Sequence, residues 1–287
     1  MTGTSVVVPN RDGTGLVARC VEAARAAGAD DVVVVDDGST DDSPAEAVAA
    51  GARVLPAQGR GFSAAVNTGV RETTGENVLV LNSDCFLERD ALRELGGALA
   101  AEPSLGAVGA GLVEPDGGPS RSHGRLLTPL LAVRADLGIK QPPPPHGTAG
   151  TETVSFLPLA CVLVRRGAWE AIGGLDESFP FYYEDHDFCL RLTRSGRRLA
   201  VRWDARAVHV GGGSSTKKDP QRWLPPFYES RARYLGKHFG LQARLHRVLW
   251  SAIALLMSAS WVVRRAPDAR RWARAYARAA TAGWKSD

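Results

Sequence analysis

The stretch VLVLNSDCFL, Val78 to Leu87, runs four apolar residues together and then stops on Asn82, Ser83 and Asp84. A helical pattern, FLERDALREL, begins straight after it. A short apolar strand feeding a helix is the repeating unit of an open α/β sheet, and ligands bind such sheets at the carboxyl ends of the strands. This strand delivers an amide and a carboxylate to that end, so Asp84 faces whatever binds there.

The same unit recurs on both sides. TSVVV (Thr4–Val8) reads as a buried strand, and Leu16, Val17, Cys20, Val21, Ala24 and Ala27 then recur at helical spacing until Gly28. DVVVVDD is a second strand, and SPAEAVAAG a short helix with Ser43 as N-cap and Pro44 in the first turn. ARVLP is a third strand, and GFSAAVNTGVRET a helix opened by the Gly59-Arg60-Gly61 turn. ENVLVLN, RDALRELGGALAAE and LGAVGAGLV continue as strand, helix and strand. The alternation predicts an α/β fold, Rossmann-like, with a mostly parallel sheet and helices on both faces. From Glu114 to Gly150 the rhythm breaks, because EPDGGPSRSHG and KQPPPPHGTAG are too rich in Pro and Gly for a packed element. A long irregular loop is expected there. VSFLPLACVLVRR resumes the sheet, GAWEAIGG and YYEDHDFCLRLTRSG are helices, and VRWDARAVHV is a strand region ending at His209. Beyond GGGSSTKKDP the pattern is helical to the end.

A chain of 287 residues suits one large domain, or one domain with an appendage. Its four cysteines are scattered with no CxxC pair, which argues against a zinc site or a disulfide scaffold and fits a reducing cytoplasm. MTGTSVVVPN lacks the basic start and apolar core of a signal peptide, so the expectation is a chain that is not exported. The net charge of +4 hides a division: residues 1–190 carry 14 Lys/Arg against 26 Asp/Glu, and residues 191–287 carry 21 against 5. An acidic body with a basic tail points to an anionic partner for the tail, a membrane surface or phosphate groups. No nucleic-acid-binding motif accompanies the charge. A solvated basic surface is the plainer alternative.

Two readings compete for the first half. GTGLVA, Gly13 to Ala18, matches the GxGxxA fingerprint of a nicotinamide-dependent oxidoreductase, with Asp36 downstream. That fingerprint wants its first glycine in the tight turn itself, whereas Pro9, Asn10, Arg11 and Asp12 intervene here. The second reading uses more of the chain. VVVPN, VVVVDDGSTDDS, GRGFSAAVNTG, VLVLNSD, YYEDHDFCLRL and VHVGGGS, in this order, resemble the motifs of the inverting GT-A glycosyltransferases of family two, and most nearly the bacterial rhamnosyltransferase branch. The resemblance runs from about Ser5 to Ser214. It implies a GT-A catalytic domain over 1–215, with a nucleotide-binding half at about 1–112 and an acceptor half at about 150–215. Residues 216–287 follow as a helical C-terminal region.

The resemblance also implies roles. Asp37 would accept a hydrogen bond from the imide N–H of the donor's nucleobase, a task that suits an acceptor-only carboxylate. Asp37 in a plain Asp-Gly turn is the alternative. Pro9 and Asn10 would line the nucleotide pocket, and Gly59, Gly61 and Asn67 would approach nucleotide and phosphates. Asn82, Ser83 and Asp84 stand where the family has Asp-x-Asp. Asp84 would hold Mg2+ or Mn2+ against the donor diphosphate, whose growing negative charge the cation offsets. Asn82 departs from the pattern: it can bond a ribose hydroxyl but adds no charge, which leaves a non-catalytic scaffold as a further alternative. His209 would be a second metal ligand, and imidazole suits Mn2+ better than Mg2+.

Asp185, Phe188, Cys189 and Leu192 fall at i, i+3, i+4 and i+7, so Asp185 heads the apolar face of its helix. The resemblance makes it the general base for the acceptor hydroxyl. Glu184, Asp187 and Arg191 are expected on a neighbouring face, the last two as an ion pair. Ala160, Trp169 and Glu184 are candidates to shape the sugar and acceptor cleft, with core packing an equal account of Trp169.

Val248 to Val263 contains no charge, but sixteen residues fall short of the ~20 that a spanning helix needs. RRWARAYARAATAGW follows as a basic helix with Trp272 and Tyr276 one turn apart. Together they predict a helix pair lying on an anionic bilayer. A hairpin packed on the domain, or joining two copies as a homodimer, is the alternative. The resemblance completes the expectation: a cytoplasmic enzyme, peripheral on the inner face of the membrane, taking L-rhamnose from dTDP-rhamnose. Its acceptor would be a polyprenyl-diphosphate-linked saccharide in cell-envelope or polysaccharide synthesis.

Overall fold

The computed structural model describes residues 3–139, 142, 144–179, 181–211, 219–263 and 268–282. The chain divides into two compact units. The first takes Met1–Leu126, Pro143–Pro180 and Glu184–Gly211; the second takes Leu127–Pro142, Phe181–Tyr183 and Gly212–Asp287.

The first unit is built on a nine-stranded sheet. β1 (Thr4–Asn10), β2 (Asp31–Asp36), β3 (Arg53–Pro56) and β4 (Asn77–Leu81) pair in the parallel order β3-β2-β1-β4. The sheet continues as β8 (Cys161–Arg165), β6 (Leu105–Val113), β9 (Arg198–His209) and β5 (Cys85–Leu87). β7 (Thr151–Val154) also pairs with β9. β8 runs antiparallel to β4 and β6, while β6 and β9 are parallel.

Strand alternation feeds both faces of this sheet. Val6, Val8, Val32, Val34, Leu79 and Leu81 enter one apolar cluster, with α1 (Val17–Ala26), α2 (Ser43–Ala49) and α4 (Ala91–Ala101) packed on it. Val7, Val33, Val35, Val78 and Val80 enter the other, covered by α3 (Phe62–Arg71), α6 (Arg166–Ala171) and α7 (Glu184–Arg194). That is why these strands read as unbroken apolar runs: neither face meets water. The α/β class with helices on both faces is as the sequence predicts.

Three local expectations change. Ser43 is the first residue of α2, and its hydroxyl bonds Asn10 and Asp41 instead of capping the helix. Cys85–Leu87 is a short strand instead of the start of the helix, because the antiparallel ladder to β9 captures it. The Pro/Gly-rich break contains α5 (Pro129–Asp136), whose start is capped by Thr128 accepting from the Leu131 backbone N–H at 3.3 Å.

The second unit joins α5 to α8 (Pro220–Phe239), α9 (Leu241–Val263) and α10 (Ala269–Ala282). Leu224, Trp250, Ala254, Ala275, Ala279 and Ala280 form its core. The Asp136 carboxyl is buried there between Arg231 at 2.6 Å and His246 at 3.0 Å. The helical tail predicted from residue 216 therefore packs with a segment from the middle of the chain. The Gly-rich segment over 212–214 read in the VHVGGGS motif, and the two arginines that follow the uncharged run, Arg264 and Arg265, lie outside the described residues.

Candidate active site

β4 ends at Leu81, and the Asn82 N–H donates to the Ala160 carbonyl at 2.8 Å, so the chain turns off the sheet with Ser83 and Asp84 at its tip. β5 then pairs with the end of β9, Cys85 opposite His209, and the Val210 N–H donates to the Asp84 carbonyl at 3.0 Å. This register sets His209 Nε2 3.3 Å from Asp84 Oδ1, each side chain about one-fifth exposed. Two residues 125 positions apart are thus delivered to one point by a single strand pairing. Beneath them, Cys20 Sγ donates to the Asn82 carbonyl at 3.4 Å, and Cys85 hydrogen-bonds Cys161. Burial pushes the Cys20 thiol far up, and the Cys161 hydrogen bond together with burial does so for Cys85.

The ends of β1 and β2 lie across the sheet. Asn10 is 2% exposed and donates to Ser43 Oγ at 2.9 Å, while its Oδ1 has no hydrogen-bond partner among the described residues. Gly13 accommodates that oxygen, since a Cβ there would fall 2.2 Å from it. Pro9 pairs with Val35 in the ladder. Asp37 accepts from the Gly61 N–H at 3.1 and 3.0 Å on its two oxygens, and Arg11 lies at 3.9 Å. Gln58, Gly59 and Gly61 all have positive φ, so the glycine-rich loop is bent back onto Asp37. Asp37, Gly59 and Gly61 therefore converge.

Asn67 and Trp169 are placed elsewhere. Asn67 is 7% exposed, donates to the Leu175 carbonyl at 2.8 Å and accepts from the Leu175 N–H at 3.0 Å, so its amide holds the 174–177 turn. Trp169 is 4% exposed and packs 5.3 Å from Phe188, which makes it a core residue instead of a cleft wall. Ala160 is buried too, and serves the site through its carbonyl bond to Asn82.

Asp185 enters from α7. Phe188, Cys189 and Leu192 are fully buried on the same stripe, as their spacing requires. Burial raises Asp185 from the usual carboxylate value to about 6, while the His186 backbone N–H and the Arg121 guanidinium pull the other way. Glu184 and Asp187 are buried as well, so the inward stripe is wider than the sequence suggests. Burial, then the Asp185 charge, pushes Glu184 well above the usual carboxylate range, and its Oε2 has no partner among the described residues. Asp187 accepts from Arg191 Nε at 2.7 Å, the expected i, i+4 pair. His186 stacks on Phe156 at 4.1 Å, and burial lowers its pKa to about 3, so it is neutral.

One short run ties α7 to the sheet edge. Cys189 Sγ contacts the Leu157 backbone, with the N–H donating at 3.4 Å, and three residues on Ala160 bonds Asn82. The Asp84–His209 pair and the Asp185 carboxyl are therefore anchored to opposite ends of Phe156–Ala160. Arg121 lies outside every motif read in the sequence. It sits in the irregular stretch, where Gly-Pro-Ser-Arg signals only a turn.

A mixed sheet of this order, with helices on both faces, is the arrangement of the GT-A glycosyltransferase fold. The profile described as Glycosyl transferase family 2 matches residues 5–172. The N-acetylglucosaminyl-diphospho-decaprenol L-rhamnosyltransferase of Mycobacterium tuberculosis is 30% identical over 250 residues, 78% of this chain and 81% of its own. A low-salt glycan biosynthesis hexosyltransferase, Agl10 of Haloferax volcanii, is 24% identical over 71% of this chain and 66% of its own. Among solved structures, the Pyrobaculum calidifontis mannosyltransferase PcManGT in complex with GDP-Man and Mn2+ has a TM-score of 0.57 at 17% identity, covering 99% of this chain and 87% of its own. Glucosyl-3-phosphoglycerate synthase from Mycobacterium tuberculosis, with Mg2+ and uridine diphosphate, gives 0.56 at 18%, covering 82% and 80%. This chain belongs to glycosyltransferase family 2. With the family come a nucleotide-sugar donor and a saccharide acceptor, and the nicotinamide oxidoreductase reading is set aside.

Proposed function

We propose that the chain is an inverting, metal-dependent glycosyltransferase that moves L-rhamnose from dTDP-rhamnose to a saccharide carried on a polyprenyl diphosphate. The observation that carries the mechanism is the 3.3 Å meeting of Asp84 and His209 at a sheet edge, linked through Phe156–Ala160 to the helix bearing Asp185. The rhamnosyltransferase of 30% identity supports the sugar and the acceptor class.

Asp84 and His209 offer one carboxylate and one imidazole, each partly open to solvent. That donor set fits Mn2+ or Mg2+, because phosphates and waters can complete an octahedron around few protein ligands. A bound cation would supply charge to offset that gained by the departing diphosphate. Asp37 and the Gly59–Gly61 loop form the nucleobase end of the site. Asp185 takes the proton of the acceptor hydroxyl as that oxygen bonds the anomeric carbon. The bond from that carbon to the diphosphate breaks on the opposite face, so the configuration inverts. Burial and the Asp185 charge push the neighbouring Glu184 toward its protonated form, which limits competing negative charge beside the base.

The second unit supports a membrane surface as partner. On α9, Leu241, Leu245, Val248, Leu255, Leu256 and Val262 are each more than half exposed, while Trp250 and Ala254 are buried on the other side. The helix Leu241–Val262 is long and apolar enough to cross a membrane by length and composition, longer than its uncharged run suggests. Its partly buried inner side favours lying in the interface.

Incubation with dTDP-rhamnose, other nucleotide sugars and NAD(H), with and without Mn2+, tests this reading by mass spectrometry. Manganese-dependent transfer or donor hydrolysis with dTDP-rhamnose is expected. Turnover of another nucleotide sugar alone would move the donor assignment, and no turnover of any would leave only the scaffold.

A further inference from the structure

Arg121 is an exposed cation beside the base with no carboxylate at ion-pair distance among the described residues. It is nevertheless held in place. Its guanidinium lies 5.7 Å from the Phe156 ring centroid, and Phe156 stacks on His186 with an interplanar angle of 16°. The Gly124 N–H donates to the Phe156 carbonyl at 3.2 Å, and Ser155 Oγ donates to the Gly124 carbonyl at 3.3 Å. These bonds pin the Arg121 loop to the run that anchors α7. Gly124 is small for a reason: a Cβ there would fall 2.9 Å from Arg121 Nη2 and 3.2 Å from the Phe156 ring.

The groups acting on Asp185 are Arg121, Glu184, His186 and Cys189. His186 is uncharged at neutral pH, burial holds Glu184 toward its protonated form, and burial pushes the Cys189 thiol up, so Arg121 is the one cation in this set. Residues 1–190 carry twelve more acidic than basic side chains, a background that repels anions. An unpaired guanidinium fixed in such a background is suited to bind an anion, and its planar fork matches phosphate oxygens. The donor diphosphate is assigned to Asp84 and His209, whereas the molecule that must reach Asp185 is the acceptor.

We propose that Arg121 recognises a phosphate on the acceptor whose hydroxyl Asp185 deprotonates. This rests on the reading of the acceptor as a diphosphate-linked saccharide. It makes Arg121 a specificity residue that holds the acceptor sugar with its hydroxyl toward the base.

The test compares two acceptors with the same alkyl chain: N-acetylglucosaminyl diphosphate alkyl ester and the neutral N-acetylglucosaminyl alkyl glycoside. The wild-type enzyme should favour the diphosphate in kcat/KM. Arg121→Gln should cut that preference about tenfold or more, chiefly through KM, and Arg121→Lys should restore part of it. The acid limb of the pH profile with the neutral acceptor should move to higher pH in Arg121→Gln, because the charge that lowers the Asp185 pKa is gone. A diphosphate preference that survives in Arg121→Gln would overturn the inference while sparing the acceptor class. A wild-type enzyme that prefers the neutral glycoside would overturn both. Since the preference is a ratio measured within each variant, a partly unfolded preparation lowers both rates and leaves it intact.

Discussion

Asp185 carries its chemistry in its surroundings. A carboxyl raised to about 6 is a stronger base than a solvated one and still ionised at neutral pH. kcat/KM should fall as pH drops through about 6, and Asp185→Asn should lower turnover by at least a hundredfold with donor binding kept. Near-wild-type turnover in that variant would remove Asp185 from the mechanism. The same shift has a stability sign. A folded-state pKa above the unfolded value means that ionised Asp185 costs stability: the cost is absent below about 4 and complete above about 6. Asp185→Asn should therefore melt higher than wild type at pH 8, with the gain shrinking toward pH 4. Asp84→Ala and His209→Ala should each weaken Mn2+-dependent binding of a nucleoside diphosphate about tenfold or more, as read by titration with and without the ion. Unchanged manganese dependence would unseat the pair. These residues were legible in the sequence because each ends a strand or heads an apolar stripe. Their convergence was legible only through the resemblance, which makes both ligands of one cation; the contact itself depends on β5 pairing with β9 in one register.

Among elements, α3 shows how closely the nucleotide side is built. Gly69 faces the sheet where a Cβ would fall 2.4 Å from Val7 Cγ1 and 2.9 Å from Val35 Cγ2. Gly69→Ala should destabilise by about 1–3 kcal/mol through overpacking. Gly96→Ala in α4, where nothing lies within 4 Å, should stabilise by about 0.5–1 kcal/mol. Urea denaturation of the two variants checks the contrast, and equal effects would mean that α3 is free to shift. Asn67 sits two residues earlier with its amide bound to the Leu175 backbone on both sides, a role invisible in a motif that promised phosphate contact. Apart from β5, the strands and helices over residues 4–113 were readable because local pattern and burial agree there. α5 was hidden by the prolines after it, although Thr128 followed by Pro129 is itself a helix start. Trp169 was ambiguous for a physical reason: a large aromatic packs a core and lines a sugar site equally well, and only its 4% exposure decides.

At the scale of the whole molecule, the proposed membrane contact would draw on both the basic tail and the exposed apolar face of α9. Binding to vesicles should rise with the anionic lipid fraction and fall with salt, as adsorption through arginines requires. Leu255→Asp with Leu256→Asp should reduce it strongly at unchanged fold, measured by co-sedimentation. If the pair instead dissociates a dimer and leaves lipid binding alone, α9 is a subunit interface. The basic tail announced itself in composition, whereas its packing with α5 did not, because Asp136 binds Arg231 and His246 across some hundred residues of sequence. The four buried cysteines have a practical corollary. Each sulfur is hidden from reagents while the native state persists, and Cys20, Cys85 and Cys161 lie beside the strand tip that carries Asp84. Labelling with a maleimide or an aromatic disulfide should therefore time the opening of the molecule. Cation and nucleotide added together should slow that clock, giving a readout of ligand capture that requires no acceptor, no product and no engineered probe.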